Sequence, residues 1–175
     1  MSPEELVNKY SDMAYCLALR LTGNAADAED LAEDALIKAI RGLAGFRGDS
    51  DAGVWLYRIV MNCWKNQLRS PRLAFWRRLR GFYSAGEEEE PIDPPDPSPG
   101  PGPQLEAAAR SEAFEKAMSS LEPQDRAILI LRELDGRSYS EIAEVLSVPE
   151  GTVRSRLSRS REKLRGLLRG LLEEK

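Results

Sequence analysis

Apolar residues recur along this chain every three or four positions, which is the spacing of one face of an α-helix. The first such series is Leu6, Tyr10, Met13, Leu17 and Leu21. It follows Ser2-Pro3-Glu4-Glu5, a capping box with proline at the first helical position, and Gly23-Asn24 ends the helix. The same period predicts a second helix from about residue 27 to 43 and a third from about 53 to 69.

A second group of helices is predicted near residues 105–120, 123–135, 139–147 and 150–172, and no segment alternates as a β-strand does. Between the groups, residues 87–103 contain seven of the eleven prolines and are largely acidic or small. Such a segment buries too little apolar surface to offset the entropy of ordering it. We therefore expect an all-α protein with two small helical domains, 1–80 and 105–175, joined by a flexible, acidic, proline-rich linker at 81–104.

The distribution of charge changes the picture that the net charge of −4 suggests. Residues 47–80 have a net charge of +6 and residues 150–175 of +4, whereas residues 81–108 have a net charge of −7. Because the local electrostatic potential decides whether a surface can bind phosphate, the two basic blocks are compatible with a nucleic-acid partner despite the negative net charge.

Composition also excludes several classes of protein. The chain of 175 residues contains no histidine, and it has neither a phosphate-binding loop nor a nucleophile elbow. We expect no enzymatic activity, no cofactor and no metal site. The acidic N-terminus is not a signal peptide and no apolar run is long enough for a membrane helix, so we expect a cytoplasmic protein. Cys16 and Cys63 are expected to be small buried hydrophobes.

The predicted helix at 53–69 has a polar face without a single acid. That face carries Arg58, Asn62, Lys65, Asn66 and Arg69, with Trp55 at its edge. Cations hold phosphates, amides bind base edges and an aromatic ring can stack on an unpaired base. A further basic cluster with interleaved aromatics follows at 72–80. The alternative is a basic surface helix with Trp55 in the core.

The predicted helix at 27–43 has a charged stripe of a different kind. It consists of Asp27, Asp30, Asp34, Lys38 and Arg41. Ile37 lies among these charges, where a lone apolar side chain is hard to bury. A charged face with an apolar anchor suits a protein partner, and an ordinary solvated face is the alternative.

The C-terminal segment predicts a helix-turn-helix at about 138–158. Ser138-Tyr139-Ser140-Glu141 is a second capping box, residues 147–151 form a tight break, and a long helix begins at Thr152. Its inner face carries Val153, Leu157, Leu164 and Leu168, and its outer face and flanks carry Arg154, Ser155, Arg156, Ser158, Arg159, Arg161 and Arg165. Arginines with small hydroxyl residues suit a major groove. The alternative is a basic amphipathic helix that packs on a protein.

Two sets of motifs resemble those of one family. Phe46-Arg47-Gly48-Asp49-Ser50, followed by Trp55-Leu56-Tyr57-Arg58-Ile59 and Asn62, resembles region 2 of extracytoplasmic-function (ECF) sigma factors. Leu131-Arg132-Glu133-Leu134-Asp135-Gly136, Ser138-Tyr139-Ser140-Glu141-Ile142-Ala143 and Gly151-Thr152-Val153-Arg154-Ser155-Arg156-Leu157 resemble their region 4, and the sigma-E type is the most similar. The chain departs from the usual pattern at Ser158, at the small residues 52–54 and in its proline-rich linker.

The resemblance implies a role for each face in promoter recognition. Residues that would open and hold the −10 element are Phe46, Arg47, Trp55, Arg58, Asn62, Lys65, Asn66 and Arg69. Residues that would read the −35 element are Thr152, Arg154, Ser155, Arg156, Ser158 and Arg159. Residues that would dock on the largest-subunit clamp of core RNA polymerase are Asp27, Asp30, Asp34, Ile37, Lys38 and Arg41.

The resemblance also implies further partners. Region 4 would meet the polymerase flap, the linker would run towards the active-site and RNA-exit channels, and an anti-sigma factor would hold the chain at the inner membrane without inserting it. Two other functions stay open on the residues alone. One is a helix-turn-helix repressor or activator that binds duplex DNA by itself, and the other is a polymerase-bound adaptor without promoter specificity.

Overall fold

A computed structural model describes residues 1–46, 48, 51–69 and 101–173, and within them the chain is helical and contains no strand. The N-terminal region consists of α1 (Pro3–Thr22), α2 (Ala25–Gly42), a 3₁₀ turn (Leu43–Gly45) and α3 (Ala52–Arg69). The C-terminal region consists of α4 (Pro101–Ser120), α5 (Pro123–Leu129), a π-helical turn (Ile130–Leu134), α6 (Tyr139–Leu146) and α7 (Glu150–Glu173). The all-α prediction is confirmed.

The N-terminal region is a three-helix bundle whose first helix begins where its sequence predicts. The hydroxyl of Ser2 accepts from the Glu5 amide at 3.1 Å, and the Glu5 carboxylate accepts from the Ser2 amide at 2.7 Å. Gly23 ends α1 with φ of 78°, a left-handed conformation that favours glycine. Small residues on α2 let it pack closely between α1 and α3. They are Ala28, Ala32, Ala35 and Ala39.

The C-terminal region contains the expected helix-turn-helix. Ser138 and Glu141 form a second capping box at the start of α6. Ser147 adopts φ of 55° and redirects the chain within three residues into α7. Val153 and Leu157 are then buried against α6, at 0% and 1% exposed. Their burial fixes which side of α7 faces solvent.

Two element boundaries differ from the sequence prediction. The helix expected at 123–135 is α-helical only to Leu129, and the Asp135 amide then donates to the Ile130 carbonyl at 3.0 Å, which is a π-type bond. The helix expected from about 105 begins at Pro101, because prolines in a first turn remove amides that have no intrahelical acceptor. Apart from residues 101–104, the predicted linker lies outside the described residues.

The two regions pack against each other through α3 and α6, and their buried side chains form one continuous core. The Arg20 guanidinium pairs with the Asp135 carboxylate. The Arg137 guanidinium lies 4.3 Å from the centre of the Tyr57 ring. Nothing in the hydrophobic pattern predicts this contact.

The prediction for the two cysteines is half right. Cys63 is 2% exposed, as expected, but Cys16 is exposed on α1. Asp12 and Arg20, one turn away on either side of Cys16, are exposed too, so this thiol lies on the outer face of the helix. None of the described helices is long and apolar enough to cross a membrane.

Candidate nucleic-acid interface

The start of α3 is capped by Asp51, which precedes the helix predicted from about residue 53. The Asp51 carboxylate accepts from the Gly53 amide at 2.8 Å and from the Val54 amide at 3.2 Å. A Cβ atom at Gly53 would lie 2.8 Å from the same carboxylate oxygen, so a larger residue there would displace the capping carboxylate. The unusually small residues at 52–54 therefore fit the cap. Arg47, Asp49 and Ser50 lie outside the described residues.

A cleft opens between α2 and α3 beside this cap. We call it the α2–α3 cleft; it has a volume of about 370 Å³ and is lined by Lys38, Trp55, Ile59, Asn62, Cys63 and Asn66, among others. Trp55 lines the cleft and is half-buried, and its ring lies 4.9 Å from the ring of Phe46. Asn62 and Asn66 present exposed amides at the same cleft. The cleft thus joins an aromatic wall to two groups that can bind base edges.

The three cations of α3 differ in their exposure. Arg69 is exposed, whereas Arg58 and Lys65 are half-buried. Burial lowers the pKa of Lys65, and the positive charges of Arg69 and of Arg156 on α7 lower it further. A phosphate placed here would relieve that repulsion between cations.

Two residues of the charged stripe on α2 have partners within the protein, and the others are exposed to solvent. Asp27 takes part in the cap of the helix, where its carboxylate accepts from the Asn24 side chain at 2.8 Å. The Lys38 ammonium lies 3.3 Å from the Cys63 sulfur and lines the α2–α3 cleft. The remaining predicted residues, Asp30, Asp34, Ile37 and Arg41, are exposed.

Ile37 is not the lone apolar residue that the sequence suggested. It is 47% exposed, and Ile40 beside it is 36% exposed. Two neighbouring exposed isoleucines make a larger apolar anchor than one.

On α7 the predicted outer residues face solvent. Ser155, Ser158 and Arg159 are exposed, as is Arg154 at 68% of its side chain, whereas Thr152 and Arg156 are half-buried. Arg154 forms an ion pair of 3.8 Å with Glu150 and lies 5.8 Å from the Tyr139 ring centre. These exposed residues lie on the side of α7 opposite the buried Val153 and Leu157.

Three polar contacts that the sequence did not reveal hold α7 in place. Ser160 is 0% exposed and donates to the Asp125 carboxylate at 2.8 Å. Lys163 pairs with the same carboxylate, and Arg161 donates to Glu133 at 2.6 and 2.9 Å. Arg161 therefore supports the helix. The neighbouring Arg159 is exposed and donates to the Ser155 carbonyl at 3.3 Å.

Burial raises the pKa of Asp125, but hydrogen bonds from Lys163 and Ser160 outweigh it and leave that pKa below its ordinary value. No group of three His, Cys, Asp or Glu side chains within the described ranges could hold a metal ion.

Two family models match the chain: Sigma-70 region 2 over residues 6–73 and Sigma-70, region 4 over residues 111–164. The RNA polymerase sigma-H factor of Pseudomonas aeruginosa is 37% identical over 97% of this chain and 87% of its own length. The ECF RNA polymerase sigma-E factor of Escherichia coli K12 is 37% identical over 90% of this chain and 81% of its own length.

Two solved structures share the fold. One is the sigma factor RpoE in complex with the anti-sigma factor NepR from Bartonella quintana, with a TM-score of 0.68 and 26% identity over 95% of this chain and 96% of that one. The other is CnrH in complex with the cytosolic domain of CnrY, with a TM-score of 0.61 and 24% identity over 96% of this chain and 88% of that one.

The helical bundle, the helix-turn-helix and these matches together define a sigma-70-type transcription factor. Within that class, the chain belongs to the ECF sigma factors. It is a non-enzymatic specificity subunit that directs promoter-specific initiation by RNA polymerase, and its partners are the core enzyme and promoter DNA.

Proposed function

We propose that the α2–α3 cleft captures an unstacked base of the −10 element during promoter melting. The carrying observation is that Trp55, whose ring lies 4.9 Å from that of Phe46, lines one cleft of about 370 Å³ together with Asn62 and Asn66. A flipped base needs a stacking partner and donors or acceptors for its edge, and this cleft offers both. Arg58, Lys65 and Arg69 would hold the adjacent phosphates, with Arg47 in the neighbouring loop.

The −35 element would be read in duplex form by the exposed side of α7. Arg154, Ser155, Ser158 and Arg159 supply the exposed donors, with Thr152 and Arg156 at the edges. The convex surface of a helix suits a major groove and does not suit a flipped base.

Core polymerase would dock on α2. Asp30, Asp34 and Arg41 form a charged rim around the apolar pair Ile37 and Ile40, and an apolar centre with a charged rim is the usual composition of a protein interface. Asp27 and Lys38 contribute less to this contact because the cap and the cleft engage them.

A protein that serves polymerase works in the cytoplasm, and we place this chain there. The RpoE chain that shares its fold was solved with an anti-sigma factor, which supports a partner of that class for this chain. Such a partner would hold the chain at the inner membrane. The C-terminal region would contact the polymerase flap, and residues 81–104 would run towards the active-site and RNA-exit channels.

Reconstituted run-off transcription with core polymerase and a pool of genomic promoters tests the roles of the two DNA-binding faces separately. Discrete starts that depend on the added chain distinguish a sigma factor from a repressor or an adaptor. Asn62→Ala should slow open-complex formation with little change in closed-complex affinity, and Arg154→Ala should weaken the closed complex.

Asn8→Ala and Lys116→Ala, both at exposed positions away from these faces, are the matched controls. If Asn62→Ala and Arg154→Ala both behave like their controls, the assignment of faces is wrong.

A further inference from the structure

One residue of the preceding loop orders the first turn of α3. The Asp51 carboxylate accepts from the amides of Gly53 at 2.8 Å and Val54 at 3.2 Å. The Asp51 carbonyl accepts from the Trp55 amide at 3.0 Å. The first amides of a helix have no intrahelical acceptor, and a capping side chain supplies one. Asp51 therefore holds three consecutive residues, and the third of them carries the aromatic wall of the α2–α3 cleft.

Gly53 leaves room for this cap. A Cβ atom built on Gly53 would lie 2.8 Å from Asp51 Oδ1, closer than a Cβ atom comes to a neighbour in folded proteins. The next nearest atoms are a Tyr10 ring carbon at 3.7 Å and the Met13 sulfur at 3.9 Å, which are ordinary contact distances. A methyl group at this position would therefore conflict with the capping carboxylate and not with α1.

The position of the Trp55 ring depends on the first turn. A Cβ atom built on Gly42, the last residue of α2, would lie 3.5 Å from Trp55 Cζ2, and the Phe46 ring lies 4.9 Å away. The ring is half-buried and lines the cleft with Asn62 and Asn66, which lie further along the same helix. The placement of the ring relative to those two amides is therefore fixed only while the first turn is helical.

We propose that Asp51 is a positioning residue for capture of the −10 base: its cap keeps the first turn of α3 helical and so holds Trp55 in place relative to the amides of the cleft. Gly53 belongs to the same device because it leaves room for the carboxylate. Neither residue is among those that line the cleft. The inference rests on the proposed base capture and adds two residues, outside the cleft, that set how fast a base is captured.

The experiment measures the rate of open-complex formation by the full chain with core polymerase on a cognate promoter, followed by permanganate reactivity. Asp51→Ala should lower this rate by about 5-fold, the factor that corresponds to the loss of a typical helix cap. Asp51→Asn keeps a capping oxygen without the charge and should retain most of the rate. Equal losses in both variants would show that the negative charge acts and not the cap, which overturns the proposal.

Two double variants distinguish positioning from a general loss of stability. Trp55→Ala removes the ring through which the cap acts, so Asp51→Ala should add little in that background. Gly53→Ala alone should slow the rate about as much as Asp51→Ala, because its methyl group displaces the carboxylate. In the Asp51→Ala background, Gly53→Ala should have little further effect. Independent losses that multiply in either pair overturn the proposal.

Ser2→Ala is the matched control, since it removes the hydroxyl that caps α1 in the same bundle, 3.1 Å from the Glu5 amide. It should lower the urea midpoint about as much as Asp51→Ala and leave the rate of open-complex formation unchanged. The proposal fails if Asp51→Ala matches Ser2→Ala in that rate while Trp55→Ala slows it. An unchanged rate for Trp55→Ala would instead count against the proposed base capture itself, so the two failures are distinguishable.

Discussion

The two helices that we assign to DNA, α3 and α7, carry similar cations but differ in their surroundings. α3 lies beside a cleft with an aromatic wall, and the amides of Asn62 and Asn66 point to it. α7 presents its exposed side chains on the outer surface of the helix, and polar contacts from Asp125 and Glu133 fix its orientation. The difference matches two tasks: a separated strand needs a concave site, whereas a duplex needs a straight helix held at a constant angle.

The largest expected effect comes from removing the aromatic wall. Trp55→Ala should slow open-complex formation by about 10- to 100-fold, because stacking of one base on an aromatic ring contributes about 1–3 kcal/mol. The rate can be measured by permanganate reactivity of the −10 region. Trp55→Phe, which keeps a ring, should retain most of the rate.

A premelted template sharpens this prediction. If the defect lies in strand capture during melting, a mismatched bubble across the −10 element should restore much of the activity of Trp55→Ala. Equal losses on duplex and premelted templates would show that Trp55 acts elsewhere.

The second prediction concerns the support of α7. Ser160→Ala removes a hydroxyl that is 0% exposed and bonded to Asp125, so the free energy of unfolding should fall by about 1 kcal/mol. Urea unfolding followed by circular dichroism measures it. Ser158→Ala, an exposed serine two residues earlier, should have an effect below about 0.5 kcal/mol. Similar values for both variants would mean that the buried bond does not stabilise the helix.

Local patterns predicted most of the fold because the helix signals here are local. The capping boxes at Ser2 and Ser138 and the apolar repeats fixed the helices, and the break after Leu146 fixed the helix-turn-helix. The faces of α3 and α7 followed from the same repeats. The roles of individual residues on those faces stay predictions.

The rest depends on residues that are distant in sequence. Ser160 resembles Ser158 in sequence, and only Asp125, 35 positions away, explains its burial. The Arg20–Asp135 pair spans 115 positions. Lys38 turns from the α2 stripe to Cys63, 25 positions away, because the bundle brings α2 and α3 together. A helical period cannot encode such pairings.

The third prediction compares two arginines on one helix. Arg159→Ala should reduce the slope of log affinity against log salt for a −35 duplex by about 1, as expected for the loss of one phosphate contact. Arg161→Ala should change the slope less, because its guanidinium is bonded to Glu133. Fluorescence anisotropy over a salt series measures both. Equal slope changes would remove the distinction between a DNA contact and a supporting pair.

The smallest expected effect is on the pH dependence of stability in the C-terminal region. The Ser138 amide holds the pKa of Glu141 below its ordinary value; burial opposes this, and bonds from the Ser138 hydroxyl and Arg137 add to it. A carboxylate with a depressed pKa contributes stability above its unfolded pKa of about 4, and the contribution is lost as the pH falls through the folded value.

Unfolding free energies measured in urea at pH 7, 5, 4 and 3.5 should therefore decline less steeply for Glu141→Gln than for the unmodified chain, by about 0.5 kcal/mol, the lower end for a cap. Glu144→Gln, an exposed position on the same helix, should follow the unmodified chain. If both variants decline alike, the acid sensitivity of the helix-turn-helix lies outside its capping box, and Asp125, whose pKa is also lowered, becomes the group to replace next.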